Sequence, residues 1–114
     1  MSKRTDPNVV YLRSITELAL QKNIIQLATS KGWTVVHVND SRQQRATGLP
    51  DLLMIRQPRI VWAELKREPG AGGHKNDPTP PQVWWLNELK ASGQEVYLWR
   101  PSHWMTGMID PVLE

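Results

Sequence analysis

Cysteine is absent from this chain of 114 residues, and so is phenylalanine. Without thiols there is no disulfide scaffold, no thiolate zinc site and no cysteine nucleophile. No apolar run approaches the roughly 18 residues that a membrane span needs, and Met1 to Tyr11 holds no apolar stretch of the signal-peptide kind. A cytoplasmic protein with no membrane partner is therefore expected. Histidine is scarce: His37, His74 and His103 lack metal-ligand spacing, and Ser102 beside His103 does not make a triad. The run Gly70-Ala71-Gly72-Gly73-His74-Lys75 lacks the Gly-Lys-Ser/Thr ending of a phosphate loop.

What is present is one domain's worth of chain, 39% apolar and 22% charged, which suits a single hydrophobic core. The aromatic residues are six Trp and two Tyr. Trp serves as a base-stacking platform in some proteins, but in a small domain it reads first as core. The net charge is +3, unevenly spread. Met1 to Gly48 carries seven Lys/Arg against three Asp/Glu, whereas Leu49 to Glu114 carries seven against eight. A mild basic bias suits a polyanionic partner without requiring one.

Residues 1–12 are polar, contain Pro7 and read as a flexible arm. Ser14 or Thr16 can cap a helix that runs to about Lys31 and stops at Gly32. Leu18, Leu20, Ile24, Ile25, Leu27 and Ala28 form its apolar arc, and Glu17 falls in the middle of that arc. A carboxylate facing a core is costly unless something pairs with it. Trp33 to Asn39, Asp51 to Arg56, Ile60 to Lys66 and Glu95 to Trp99 read as strands. Asp40 to Leu49 is a polar loop, and Arg67 to Pro78 a long Gly/Pro-rich one, functional or mobile. Thr79, Pro80, Pro81 and Gln82 open a second helix, with a capping Thr, Pro at the first position and Gln three residues after the cap. Trp85, Leu86 and Leu89 give it an apolar face, and Gly93 ends it. The order α-β-β-β-α-β predicts an α/β domain over residues 13–100, a four-stranded sheet flanked by helices, followed by a tail over 101–114.

The informative stretch is Gly48-Leu49-Pro50-Asp51, followed by Glu64-Leu65-Lys66. Glu64 and Lys66 stand at i and i+2 on a strand, so both project from one face. If Arg56 to Arg59 form a hairpin loop, Ile55 pairs with Ile60 and Asp51 falls opposite Glu64. Opposed Cβ atoms lie about 4.5–5.5 Å apart. Two carboxylates at that spacing repel unless a cation lies between them, and oxygen donors suit a hard ion such as Mg²⁺. With Lys66 beside it, the arrangement asks for metal-assisted attack on a phosphate.

This pattern resembles the PD-(D/E)xK nuclease superfamily, and within it the stand-alone VRR-NUC domains of phage and bacterial proteins. The further matches are Glu17 on the first helix, Gly48 just before Pro50-Asp51, and Gln82 followed by Trp85 on the second. The Gly-rich loop departs from the family, where this link is usually shorter. The resemblance implies a restriction-endonuclease-like core with a mixed sheet. It implies a Mg²⁺- or Mn²⁺-dependent DNA endonuclease, with Asp51, Glu64 and the backbone carbonyl of Leu65 as metal ligands and Glu17 helping through water. Lys66 would position the water and stabilise transition-state charge, and Gln82 would orient Lys66 or the water. Relatives of this type resemble Holliday junction resolvases that act as homodimers, so branched DNA and a second copy are the implied partners.

Other readings remain open on the sequence. Glu64 and Lys66 can form an exposed ion pair of little value, Gln82 can simply complete a capping box with Thr79, and Glu17 can face solvent on a frayed turn. Arg42, Arg45, His74 and Lys75 are candidates for nucleic-acid phosphates or solvated loop charges. The alternatives to a junction endonuclease are a nuclease for linear duplex or flap DNA and a non-catalytic DNA-binding protein.

Overall fold

The structure, a computed structural model, describes residues 6–38 and 47–114. The segment expected as a flexible arm contains a helix, α1 (Pro7–Ser14), with Pro7 at its first position. The Asp6 carboxylate accepts from the Asn8 amide at 2.8 Å and caps it, a local hydrogen bond of the kind that starts helices. Helix α2 (Glu17–Ser30) begins at Thr16, whose hydroxyl accepts from the Ala19 amide. Its buried residues are Leu20, Ile24 and Ala28. Ile25 and Leu27 are half-buried, but Leu18 is 58% exposed, against expectation. The buried stripe runs through positions 20, 24 and 28. Extended back by three residues it reaches Glu17, while Leu18 sits about 100° away.

The sheet has the order β1-β2-β3-β4, formed by β1 (Thr34–His37), β2 (Leu52–Arg56), β3 (Arg59–Leu65) and β4 (Glu95–Trp99). The first three strands are antiparallel, and β4 joins β3 in parallel. The sheet is therefore mixed, as anticipated. Ile55 pairs with Ile60 as the count required; Arg56 also pairs with Arg59, so the connecting turn is only Gln57-Pro58. Leu52 and Met54 of β2, with Val61, Ala63 and Leu65 of β3, pack with the α2 stripe, Trp33 and Trp99 into the core. By alternation, Trp62 and Glu64 face the other side of the sheet. Helix α3 (Pro80–Ala91) lies there, with Trp85, Leu86 and Leu89 half-buried.

The last fourteen residues are not a tail. They form helix α4 (Pro101–Met105) and a 3-10 turn (Asp110–Leu113), and they place Ile109 and Leu113 in the core. The Trp33 indole N–H donates to the Leu113 carbonyl at 2.9 Å. The Arg56 guanidinium lies 4.7 Å from the Trp33 ring centre while donating to the carbonyls of Lys31 and Leu113. Residues 101–114 thus belong to the same domain as 13–100. Their apolar positions are too sparse for a helical period to reveal, because the 3-10 turn buries only Leu113, with Ile109 just before it. His103 is structural, its Nδ1 accepting from the Arg100 amide.

The Arg67 to Pro78 connection is ordered from within. The Asn76 side-chain amide donates toward the carbonyls of Glu68, Ala71 and His74. Arg100 donates to the carbonyls of Arg67 and Asn76, and the Ser102 amide donates to Glu68. The segment's glycines predicted looseness, but its polar side chains tie the backbone groups that glycine leaves bare. Leu113→Ala should cost about 2–4 kcal/mol in urea unfolding, as for other buried leucines, while Met108→Ala, at an exposed position, should change stability by under about 0.5 kcal/mol. Equal, small effects would show that the C-terminal segment is not part of the core.

Candidate functional site

The hairpin register sets the site. Leu52 pairs with Ala63, so one step further Asp51 lies opposite Glu64 on the face that looks away from the core. The Asp51 carbonyl accepts from the Val38 amide at 2.8 Å, which fixes the backbone there to β1. Its carboxylate Oδ2 accepts from the Leu65 amide at 2.7 Å. One oxygen is thereby held by the backbone of β3.

Glu64 is the one buried charged residue among those described, 1% exposed. Its Oε1 accepts from the Gln82 side-chain amide at 3.4 Å, a long contact. As a carboxylate, its Oε2 has no partner. Burial first, and then Asp51 through hydrogen bonding and charge, push the Glu64 carboxyl up to about 9; Lys66 pulls it down and Glu17 adds to the rise. A buried carboxylate next to another is stable only when one is protonated or a cation lies between them.

Gln82 fills the expected capping role and makes a second contact. Its side-chain oxygen accepts from the Thr79 amide at 2.8 Å, completing the capping box, and its nitrogen is then aimed at Glu64. That contact orients the Glu64 carboxylate. Geometry explains this: the cap fixes the amide in the first turn of α3, which faces the buried end of the hairpin.

The loop that carries Asp51 is docked on that same turn. Gly48 has φ +92°, and a Cβ built on it would lie 2.6 Å from the Pro81 carbonyl carbon and 2.8 Å from the Gln82 amide. Only glycine permits this approach. The Trp85 indole N–H donates to the Thr47 carbonyl at 3.1 Å. The sequence places Gly48 in a polar loop, and no local pattern encodes this contact.

Glu17 comes close enough to Asp51, Lys66 and Arg67 for their charges to act on it. Partial burial of the carboxyl raises its pKa first, Asp51 raises it further, and Lys66 and Arg67 oppose the rise. The residue as a whole is exposed, so both expectations for it hold in part: it faces solvent and it borders the site. Among the described residues, no three His, Asp or Glu side chains gather as a ready-made metal cage. Leu65 engages Asp51 through its amide, and nothing is yet assigned to its carbonyl. Lys66 is half-buried after β3, where its amide donates to the Trp99 carbonyl at 3.0 Å. His74 and Lys75 are exposed on the loop away from the carboxylates, and Arg42 and Arg45 lie outside the described residues.

Two adjacent carboxylates with one unpartnered oxygen, buried and beside a lysine, form a donor set that fits a hard divalent cation. Mg²⁺ normally takes one or two carboxylates and keeps several waters, so two carboxylates suffice.

No protein-family model matches the sequence, and no curated protein does. A solved structure described as a VRR_NUC domain superposes with a TM-score of 0.58 at 23% sequence identity. The match covers 72% of this chain and 81% of that one. The chain thus shares the fold of that domain. Among the described residues, no helix is long and apolar enough to cross a membrane.

The raised Glu64 pKa carries a sign. Without a cation, the folded protein keeps this proton up to about pH 9, while the unfolded chain releases it near the ordinary carboxyl value. Stability is therefore lost as pH rises through that window. Glu64→Gln keeps the acceptor for Gln82 and offers an N–H to Asp51. In EDTA at pH 8 it should be more stable than the parent, on the order of 1–3 kcal/mol, with the gap closing at pH 5. A less stable variant at pH 8 would contradict the strained carboxylate pair.

Proposed function

We propose that this protein is a metal-dependent endodeoxyribonuclease of the PD-(D/E)xK type, cutting phosphodiester bonds in DNA with Mg²⁺ or Mn²⁺. The observation that carries the reading is the buried Glu64, with its Oε2 unpartnered beside Asp51. The VRR-NUC fold supports it, as do Lys66 two residues after Glu64 and Gln82 against the same carboxylate. A protein that only bound DNA would gain nothing from a pair of buried, mutually repelling acids, and DNA's own charge would repel them further.

The geometry is compatible with the following roles. Asp51 and Glu64 would hold the cation, each with one oxygen also contacting the protein. The Leu65 carbonyl would add a ligand, and Glu17 would help through water. The cation supplies Lewis-acid polarisation of the phosphate and of the attacking water. A bound cation would favour the ionised form of Glu64 over the protonated one. Lys66 places its ammonium beside the phosphate, orienting the water and offsetting the negative charge that builds up on the phosphorane-like transition state. Gln82 keeps Glu64 from turning away, and Gly48 keeps the loop bearing Asp51 close to Gln82.

The substrate class follows the resemblance rather than the site: a four-way junction, cut by a homodimer whose two-fold symmetry matches paired strands. Met105 and Met108 are exposed beside half-buried Trp104 and offer part of a subunit contact. The setting is a bacterial or phage-infected cytoplasm. Labelled four-way junction, linear duplex and flap DNA should be offered with Mg²⁺, Mn²⁺ or EDTA. Metal-dependent cleavage should be lost with EDTA, and Asp51→Asn or Lys66→Ala should lower it at least about a hundredfold with DNA binding retained. Paired symmetric nicks establish the junction reading, cutting of linear or flap DNA alone removes it, and binding with no cutting under any condition defeats the nuclease.

A further inference from the structure

Helix α1 and the Gly-rich loop, neither expected to be ordered, meet to form an open cleft of about 450 Å³. Arg13, at the end of α1, lies against Gly70: a Cβ there would stand 2.7 Å from the guanidinium carbon, and the Arg13 Nε donates to the Pro69 carbonyl at 3.0 Å. His74 and Lys75 line the cleft with Arg13, and Asp77 is its one acidic residue. Gly73 has φ +77° and an added Cβ there would meet no atom, so the wall beside His74 stays open.

The cations here differ from those elsewhere in the protein. Among the described residues, the ion pairs are Lys31 with Asp110 and Glu114, and Arg59 with Glu95. These sit near the start of β3, at Arg59, whereas Lys66 follows the end of that strand. At the Lys66 end, Arg13 and Arg67 are held by neutral acceptors. Arg67 donates to the carbonyls of Arg13 and Ile15, which positions the guanidinium without neutralising it. Ion pairs fix one end of the sheet, while the other end keeps its positive charge for something else.

Arg67 joins the cleft to the carboxylates. Its Nη1 would stand 3.2 Å from a Cβ on Gly72, within the loop, and its charge also acts on Glu17 at the site. Lys66, Arg67, Arg13, His74 and Lys75 thus form a continuous basic track leading away from Asp51 and Glu64. A polyanion whose charges repeat along its length is the ligand that such a row suits.

We propose that the α1–loop cleft is a backbone-phosphate subsite that holds the nucleic-acid strand beside the scissile bond, with Arg13 and Lys75 as its principal contacts. It rests on the nuclease reading above and gives that site a direction along the strand. Such contacts position the nucleic acid without reading its sequence. They also explain why the loop is long and tied down by Asn76 and Arg100: a phosphate contact needs its cation in a fixed place.

The test uses the whole protein and a labelled DNA duplex, with binding measured in EDTA over a range of salt and cleavage measured with Mn²⁺. Lys75→Glu and Arg13→Gln should each weaken binding about three- to tenfold and lower the slope of log affinity against log salt by about one. KM should rise with kcat nearly unchanged. Arg13→Lys keeps the charge but loses the fork that grips Pro69, so it should bind nearly as the parent does. If Arg13→Lys falls as far as Arg13→Gln while Lys75→Glu is unaffected, Arg13 is only a structural anchor and the subsite is overturned. Variants that bind as tightly as a parent that binds and cuts DNA also overturn it, leaving the nuclease intact. A parent that neither binds nor cuts any DNA removes both.

Discussion

Two carboxylates held face to face across a hairpin are the constraint around which the rest of this protein is arranged. Asp51 and Glu64 are opposed because the Gln57-Pro58 turn closes the β2–β3 pair with Ile55 against Ile60. A slip of one residue would send Glu64 into the apolar core and Leu65 out of it. The apolar alternation of Leu52 and Met54 with Val61, Ala63 and Leu65 forbids that slip. The hydrophobic core therefore does more than stabilise the domain: it sets the register that forces two acids together. Their repulsion is a cost the fold carries, and the site's chemistry depends on it.

Each acid is gripped by one oxygen, from the Leu65 amide for Asp51 and from Gln82 for Glu64. The two grips come from different elements, and the loop at Gly48 ties them to each other. The first turn of α3 presents Gln82, and Gly48 lets the loop bearing Asp51 rest against that turn. The end of the sheet at Arg59 is built differently, from ion pairs and from Arg56 and Arg59 over Trp33. One end of the domain pairs its charges internally, and at the other Arg13 and Arg67 rest on backbone carbonyls.

Much of this was legible in the sequence, and the residues show why. Strand β2 shows as a short, almost wholly apolar run, and β3 and β4 as short runs of β-prone residues. Thr79-Pro80-Pro81-Gln82 spells out a helix start, and Asp51, Glu64 and Lys66 are spaced so that counting along a hairpin brings them together. The rest was hidden where the deciding contacts are distant in sequence. Residues 101–114 looked like a tail because Ile109 and Leu113 are isolated, yet they complete the core around Trp33. Residues 7–12 look loose because they are polar and contain Pro7, yet Pro7 is the first residue of a capped helix. The glycines of residues 70–73 suggested mobility, and only the hydrogen bonds of Asn76, Arg67 and Arg100 reveal otherwise. Glu17 was found because a carboxylate stood on an apolar stripe, although the stripe itself was drawn too wide at Leu18.

The central claim is that Asp51 and Glu64 are a pair because a divalent cation belongs between them. Crystals grown with Mn²⁺ and measured at a wavelength where manganese scatters anomalously test it most directly. The account predicts a single strong peak within about 2.0–2.4 Å of one oxygen from each of Asp51 and Glu64, the range of hard-cation bonds to oxygen, absent in Glu64→Gln. A peak elsewhere, or none in manganese-soaked crystals with both carboxylates exposed to solvent, would contradict it.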